Sequence, residues 1–147
     1  MIAIGNMLMG DDGVGISVGK NIKDKLKGKN IEVIIGETDF EYCISKIKDD
    51  DFIFIIDSII SEKECGSITV IPMKDYIYNE NLYSQHGCNI LTALNLYNKN
   101  IEGYIIAIEI EEIKFHFGIT KSLEDKLGYI SNDIVKIIEK ILKFRVL

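Results

Sequence analysis

The stretch Met1-Ile2-Ala3-Ile4-Gly5-Asn6-Met7-Leu8-Met9-Gly10-Asp11-Asp12-Gly13-Val14-Gly15 decides the fold, because it joins a short apolar run, a glycine-rich turn and the start of a helical pattern. The apolar run ends at Gly5 and reads as a buried strand. Ile16, Val18, Ile22 and Leu26 then recur at roughly helical spacing, interleaved with lysines, and Gly28 supplies a stop. A strand, a glycine turn and a helix in this order usually bring backbone amides up to a phosphate at the positive end of the helix. Here the turn carries two adjacent carboxylates, Asp11 and Asp12, which would repel that ligand. A cation suits the turn better.

Working outward, Ile31 to Ile35 reads as a second strand, and Phe40, Cys43, Ile44 and Ile47 mark a helical face that ends before Asp49-Asp50-Asp51. Phe52 to Ile56 is a third strand, with Asp57 at its end. Ile68 to Met73 is a fourth, and Pro72 implies that it lies at an edge or finishes there. Asn79 to Gln85 is polar enough for a loop, and Ile90, Leu91, Leu94 and Tyr97 form the next helical face. Ile101 to Ile110 is a fifth strand. From Ser122, which is expected to cap with Asp125 three residues on, a long stripe from Leu127 to Ile141 faces a core.

This alternation calls for an α/β fold in which crossover helices cover both faces of a mostly parallel sheet. A hairpin-like link from the third strand to the fourth is expected to make one strand antiparallel. With the strand order 2-1-3, Asp12 beyond the first strand and Asp57 at the end of the third would open onto one crevice. The chain has 147 residues, 47% of them hydrophobic, so residues 1–147 are expected to form a single domain.

Composition narrows the function classes. The net charge is −6 with no dense lysine and arginine stripe, so nucleic acid is not an expected partner. The apolar stretches are far shorter than the ~20 residues a membrane span requires, and no leader pattern opens the chain. Cys43, Cys65 and Cys88 are odd in number and too far apart for a CxxC pair, which favours reduced thiols and a cytoplasmic location.

Three side chains are the candidates for chemistry. Asp57 emerges where a buried strand meets the surface, although a cap or turn residue would look the same. Either Asp11 or Asp12 could cap the first helix while the other serves as ligand. His86, one of two histidines, sits in the polar segment Ser84-Gln85-His86-Gly87, and loops after strands gather on one face of such a sheet. Asp12, Asp57 and His86 together would offer two oxygens and one imidazole nitrogen to a borderline divalent metal, with positions left open. His116, between Phe115 and Phe117, reads as a packing or edge residue, and Cys88 as a small core residue rather than a nucleophile. The glycines miss both the GxGxxG and the Walker spacing, yet Glu37 imitates the ribose-binding acid of dinucleotide folds. The alternative to an enzyme is therefore a small Rossmann-like nucleotide-binding or interaction module.

These segments, Gly5 to Gly15, Gly36-Glu37-Thr38, Ile55-Ile56-Asp57, Gly66-Ser67-Ile68 and Ser84-Gln85-His86, resemble the hydrogenase maturation proteases over most of the chain. The resemblance implies a three-layer sandwich built on a twisted five-stranded sheet. It implies an endopeptidase that removes the C-terminal extension of a hydrogenase large-subunit precursor already loaded with nickel. Asp12, Asp57 and His86 match the family's three metal-contacting positions, and the nickel would be supplied by the precursor. Two departures stand out. Ile60 replaces a second acid common three residues after the aspartate, and Ala107 stands where a glycine commonly precedes the Ile-Glu pair, leaving Glu109 as a supporting residue.

Overall fold

Strand β1 (Ile2–Ile4) leads through a 3-10 turn at Gly10–Gly13 into helix α1 (Val14–Lys27). There follow β2 (Ile34–Glu37), α2 (Phe40–Lys46), β3 (Phe52–Ile59), β4 (Ile68–Pro72), α3 (Met73–Tyr76), α4 (Gln85–Leu96), β5 (Glu102–Glu109) and α5 (Lys121–Arg145). This computed structural model describes residues 1–76, 85–97 and 101–145, and within it not the side chains of residues 76 and 85–89. The expected loop from Asn79 to Gln85 lies almost wholly outside the described residues.

The sheet has the order β2-β1-β3-β5-β4, so the expected 2-1-3 arrangement holds. β1 runs parallel to β2 and β3, β3 parallel to β5, and β4 alone is antiparallel. β4 pairs with β5 rather than β3, so the expected hairpin link does not form. Burial explains the choice. Ile105 to Glu109 of β5 are all buried, whereas β4 buries only Ile71, and the inner position goes to the strand that is apolar on both faces. Pro72 finishes the edge strand, where its missing N–H costs no ladder bond.

Two boundaries move for identifiable reasons. β2 begins at Ile34 instead of Ile31, because the Ile31 amide bonds back to Leu26 O and Asn30 takes a left-handed φ of 61°, so this segment closes the end of α1. β3 continues to Ile59, because β5 pairs with it all the way to Ile59↔Glu109. Asp57 thus lies within β3, not at its end. β1, however, pairs with β3 only as far as Ala3↔Ile56, so Asp57 and Ser58 lie beyond the last β1 partner of β3, and both are buried.

The helices bury one face each. On one side of the sheet Val14, Val18, Ile22 and Leu26 of α1 and Ile130, Ile134 and Ile138 of α5 cover Phe54, Ile56, Ile106 and Ile108. On the other, Cys43 and Ile44 of α2 and Ile90, Leu91 and Leu94 of α4 cover Ile53, Ile55, Ile105 and Ala107. Each fully buried isoleucine contributes about 1.5–3 kcal/mol relative to exposure. Gly15 lets α1 press onto the sheet: a Cβ there would stand 2.7 Å from Ile4 O and 2.8 Å from Ile56 O. That close approach carries the turn residues to the end of β1 and to the part of β3 beyond its pairing with β1.

Candidate active site

The turn after β1 is built around Asp12. Gly5 leaves the strand at φ 139°, and a side chain there would collide with Asp12 O, so only glycine fits. The next amide, Asn6 N–H, donates to Asp12 Oδ2 at 3.0 Å, and the Asn6 carboxamide accepts from Leu8 N at 3.0 Å. An amide that a phosphate-binding turn would aim at its ligand is here directed at the protein's own carboxylate. Asp12 is 2% exposed and Asp57 is fully buried.

Ser58 ties the two together. Its hydroxyl donates to Asp12 Oδ1 at 2.8 Å, and its backbone N–H donates to Asp57 Oδ1 at 2.8 Å. Two acids separated by 45 residues in sequence therefore meet at one serine, beyond the last residue pair of β1 with β3. Hydrogen bonds to the ionised form are what make buried carboxylates tolerable.

Neither Asp11 nor Asp12 caps α1. The cap position of α1 is Gly13, with no side-chain cap bond, and the preceding 3-10 turn has none either. Asp11 turns outward from the turn to α5, taking Thr120 N–H on Oδ1 at 2.7 Å and Thr120 Oγ1 on Oδ2 at 3.2 Å. The same contact corrects the expected cap of α5. Ser122 lies inside the first helical turn, while Thr120 precedes it and its carbonyl accepts from Glu124 N–H at 2.9 Å.

His86 is the second residue of α4, which packs on α2 and β3 in the layer that also faces Asp57. Its side chain lies outside the described residues, as does that of Cys88. Among the described residues no cluster of three His, Cys, Asp or Glu side chains forms a metal site. His116 sits apart in an edge bridge opposite Met9, its N–H donating to Leu8 O and its carbonyl accepting from Gly10 N–H. Its ring Nδ1 rests 3.0 Å from Gly118 O, in keeping with the edge role expected of it.

Glu109, at the end of β5, is 1% exposed and is held among the described residues by Ser61, whose N–H and hydroxyl each reach one oxygen at 2.6 Å. Ser58, Ser61 and Thr120 are the residues that sequence reasoning passed over. The available signal was the pair Asp57-Ser58, two polar residues inside an otherwise apolar strand. Ile60 is 49% exposed. Burial pushes the Cys43 thiol up to about 11, with Asp39 adding to the effect, and burial likewise raises Cys65. Both are core thiols rather than nucleophiles.

A family model described as hydrogenase maturation protease matches residues 16–143. The chain belongs to this family. The match contains Asp57 and His86 and begins just after Asp12. A Methanocaldococcus jannaschii protein, provisionally named a hydrogenase maturation protease, is 27% identical over 148 residues, covering 97% of this chain and 90% of that one. A second protein of that organism, named in the same way, is 29% identical over 151 residues, covering 96% and 88%. Among solved structures, the maturation protease HybD of Thermococcus kodakarensis has a TM-score of 0.70 at 24% identity, over 92% of this chain and 95% of that one. HycI of the same organism has a TM-score of 0.73 at 18% identity, over 94% and 90%. At such identities the structural likeness shows a shared fold, the mixed five-stranded sheet between helices. Family membership makes the chain a protease of hydrogenase maturation and displaces the nucleotide-binding alternative.

Proposed function

We propose that this protease removes the C-terminal extension of a nickel-loaded hydrogenase large-subunit precursor in the cytoplasm, and that Asp12, Asp57 and His86 contact the precursor's nickel. The observation that carries this reading is the pair of buried carboxylates joined through Ser58 at the end of β1. Two carboxylates and an imidazole suit a borderline divalent ion. Both carboxylates are buried, and a cation is one of the partners that can stabilise a buried carboxylate.

The nickel belongs to the substrate. Asp12 and Asp57, fixed by the sheet, would bind and orient it, and so register the nearby peptide bond against the protein. A metal in that position can polarise the scissile carbonyl or activate a water. A precursor without nickel would lack the anchor, so cleavage follows metal insertion. No helix among the described residues is long and apolar enough to cross a membrane.

The test is mass spectrometry of the large-subunit precursor incubated with this protein, with and without prior nickel loading. Loss of a C-terminal peptide only from the loaded precursor is expected. Equal cleavage of both forms would overturn the metal-gated reading while leaving the protease assignment in place.

A further inference from the structure

We infer that Ser58 is a positioning residue of this centre, holding both carboxylates in the orientation they present to a metal ion. The inference rests on the reading of Asp12, Asp57 and His86 given above. Its geometry comes from the sheet. Ile110 N–H bonds to Ile59 O, so the polar groups of Ile59 face β5 and those of Ser58 face the opposite edge. β1 would supply a partner there, but its pairing stops at Ala3↔Ile56. The Ser58 N–H therefore has no strand to bond, and the Asp57 carboxylate takes the place of the missing carbonyl at 2.8 Å.

Side-chain alternation along β3 then sends the Ser58 hydroxyl to the face covered by α1, where Asp12 arrives on the 3-10 turn and accepts it at 2.8 Å. Ser58 is 4% exposed, so no water competes freely for either bond. In two other serine or threonine pairs at this end of the sheet, the N–H and the hydroxyl of one residue both serve a single carboxylate, Ser61 on Glu109 and Thr120 on Asp11. Ser58 divides the same two donors between two acids. Its hydroxyl is the only one of the two bonds a side-chain substitution can remove.

Ser58→Ala deletes the bond to Asp12 and keeps the backbone bond to Asp57, while Ser58→Thr keeps both. The nickel ion alone, titrated calorimetrically into metal-free protein, should bind Ser58→Ala about 10–100-fold more weakly than wild type, with Ser58→Thr within about threefold. kcat for trimming the loaded precursor should fall in the same order. Circular dichroism melts of the metal-free proteins establish that both variants are folded at the assay temperature. A purely structural serine would lower the melting temperature of Ser58→Ala and leave nickel affinity and kcat at the wild-type level in the folded protein, and that result would overturn the inference. Asp57→Ala and His86→Ala separate the two readings. Lost affinity in both, with Ser58→Ala unchanged, rejects the role of Ser58 alone. Unchanged affinity and trimming in both, or no nickel uptake by wild type at millimolar concentration, rejects the metal centre and the role of Ser58 with it.

Discussion

Two corners at the same end of the sheet bury acids by the same chemistry and to different effect. Beyond β5, Glu109 and Ser61 form a closed pair in which both carboxylate oxygens are taken at 2.6 Å by one neighbour. Thr120 and Asp11 form a similar pair that fastens the 3-10 turn to α5. Beyond β1, one serine is shared between Asp12 and Asp57, one donor going to each acid. The closed pairs brace the structure, since each acid is satisfied by a residue it tethers. The shared pair instead links two acids to one serine at the place where β1 leaves β3. Burial alone does not separate these roles, because all four acids are at most 4% exposed.

Removing a member of the proposed centre should have the largest effect. Asp57→Ala and His86→Ala should each lower trimming of the loaded precursor by about 100-fold or more, as expected when several kcal/mol of metal-assisted stabilisation is lost. Mass spectrometry of the precursor measures the loss, and circular dichroism should show a retained fold. Trimming at the wild-type rate in both variants would erase the contrast between the corners. Glu109→Gln breaks the closed pair instead. It should cost about 1–3 kcal/mol in urea denaturation, the usual range for a buried hydrogen-bonded charge left poorly matched. Trimming by the folded protein should stay at the wild-type rate, and a selective loss of activity would move Glu109 into the centre.

Thr120→Val removes the longer, 3.2 Å bond to Asp11 and keeps the backbone bond, so a loss of about 1 kcal/mol in the same assay is expected. The last effect concerns pH. The buried Cys43 thiol titrates near 11 in the folded protein against 9.0 when unfolded. Between about pH 9 and about pH 11 the folded state holds the proton that the unfolded state has released, so stability falls as pH rises through that window. Urea melts across that range should show the fall in wild type and a shallower one in Cys43→Ala. An equal slope in both would assign it to other groups.

Much of the architecture was legible in the chain itself. The apolar runs ending at Ile4 and beginning at Phe52, the helical stripes from Ile16 and Leu127, and Pro72 at the edge all signal their elements through periodicity that depends only on local order. The misplaced start of β2 had a local cause that periodicity does not encode, since Ile31 is apolar but its amide closes α1. The partner of β4 was invisible for a different reason. Adjacency in sequence favours a hairpin with β3, and the choice of β5 follows from the burial of whole strands.

Residue types and their order were enough to mark Asp12 and Asp57 as candidates, because carboxylates in a glycine turn and beside a buried strand are costly unless they have a partner. Their placement and partners were decided only by the folded chain. Which aspartate of the Asp11-Asp12 pair turns inward, and that Ser58 divides its donors while Ser61 does not, depend on where β1 stops beside β3. That stopping point is a property of strand register and of α1 lying close on Gly15, both of which arise from contacts between segments far apart along the chain.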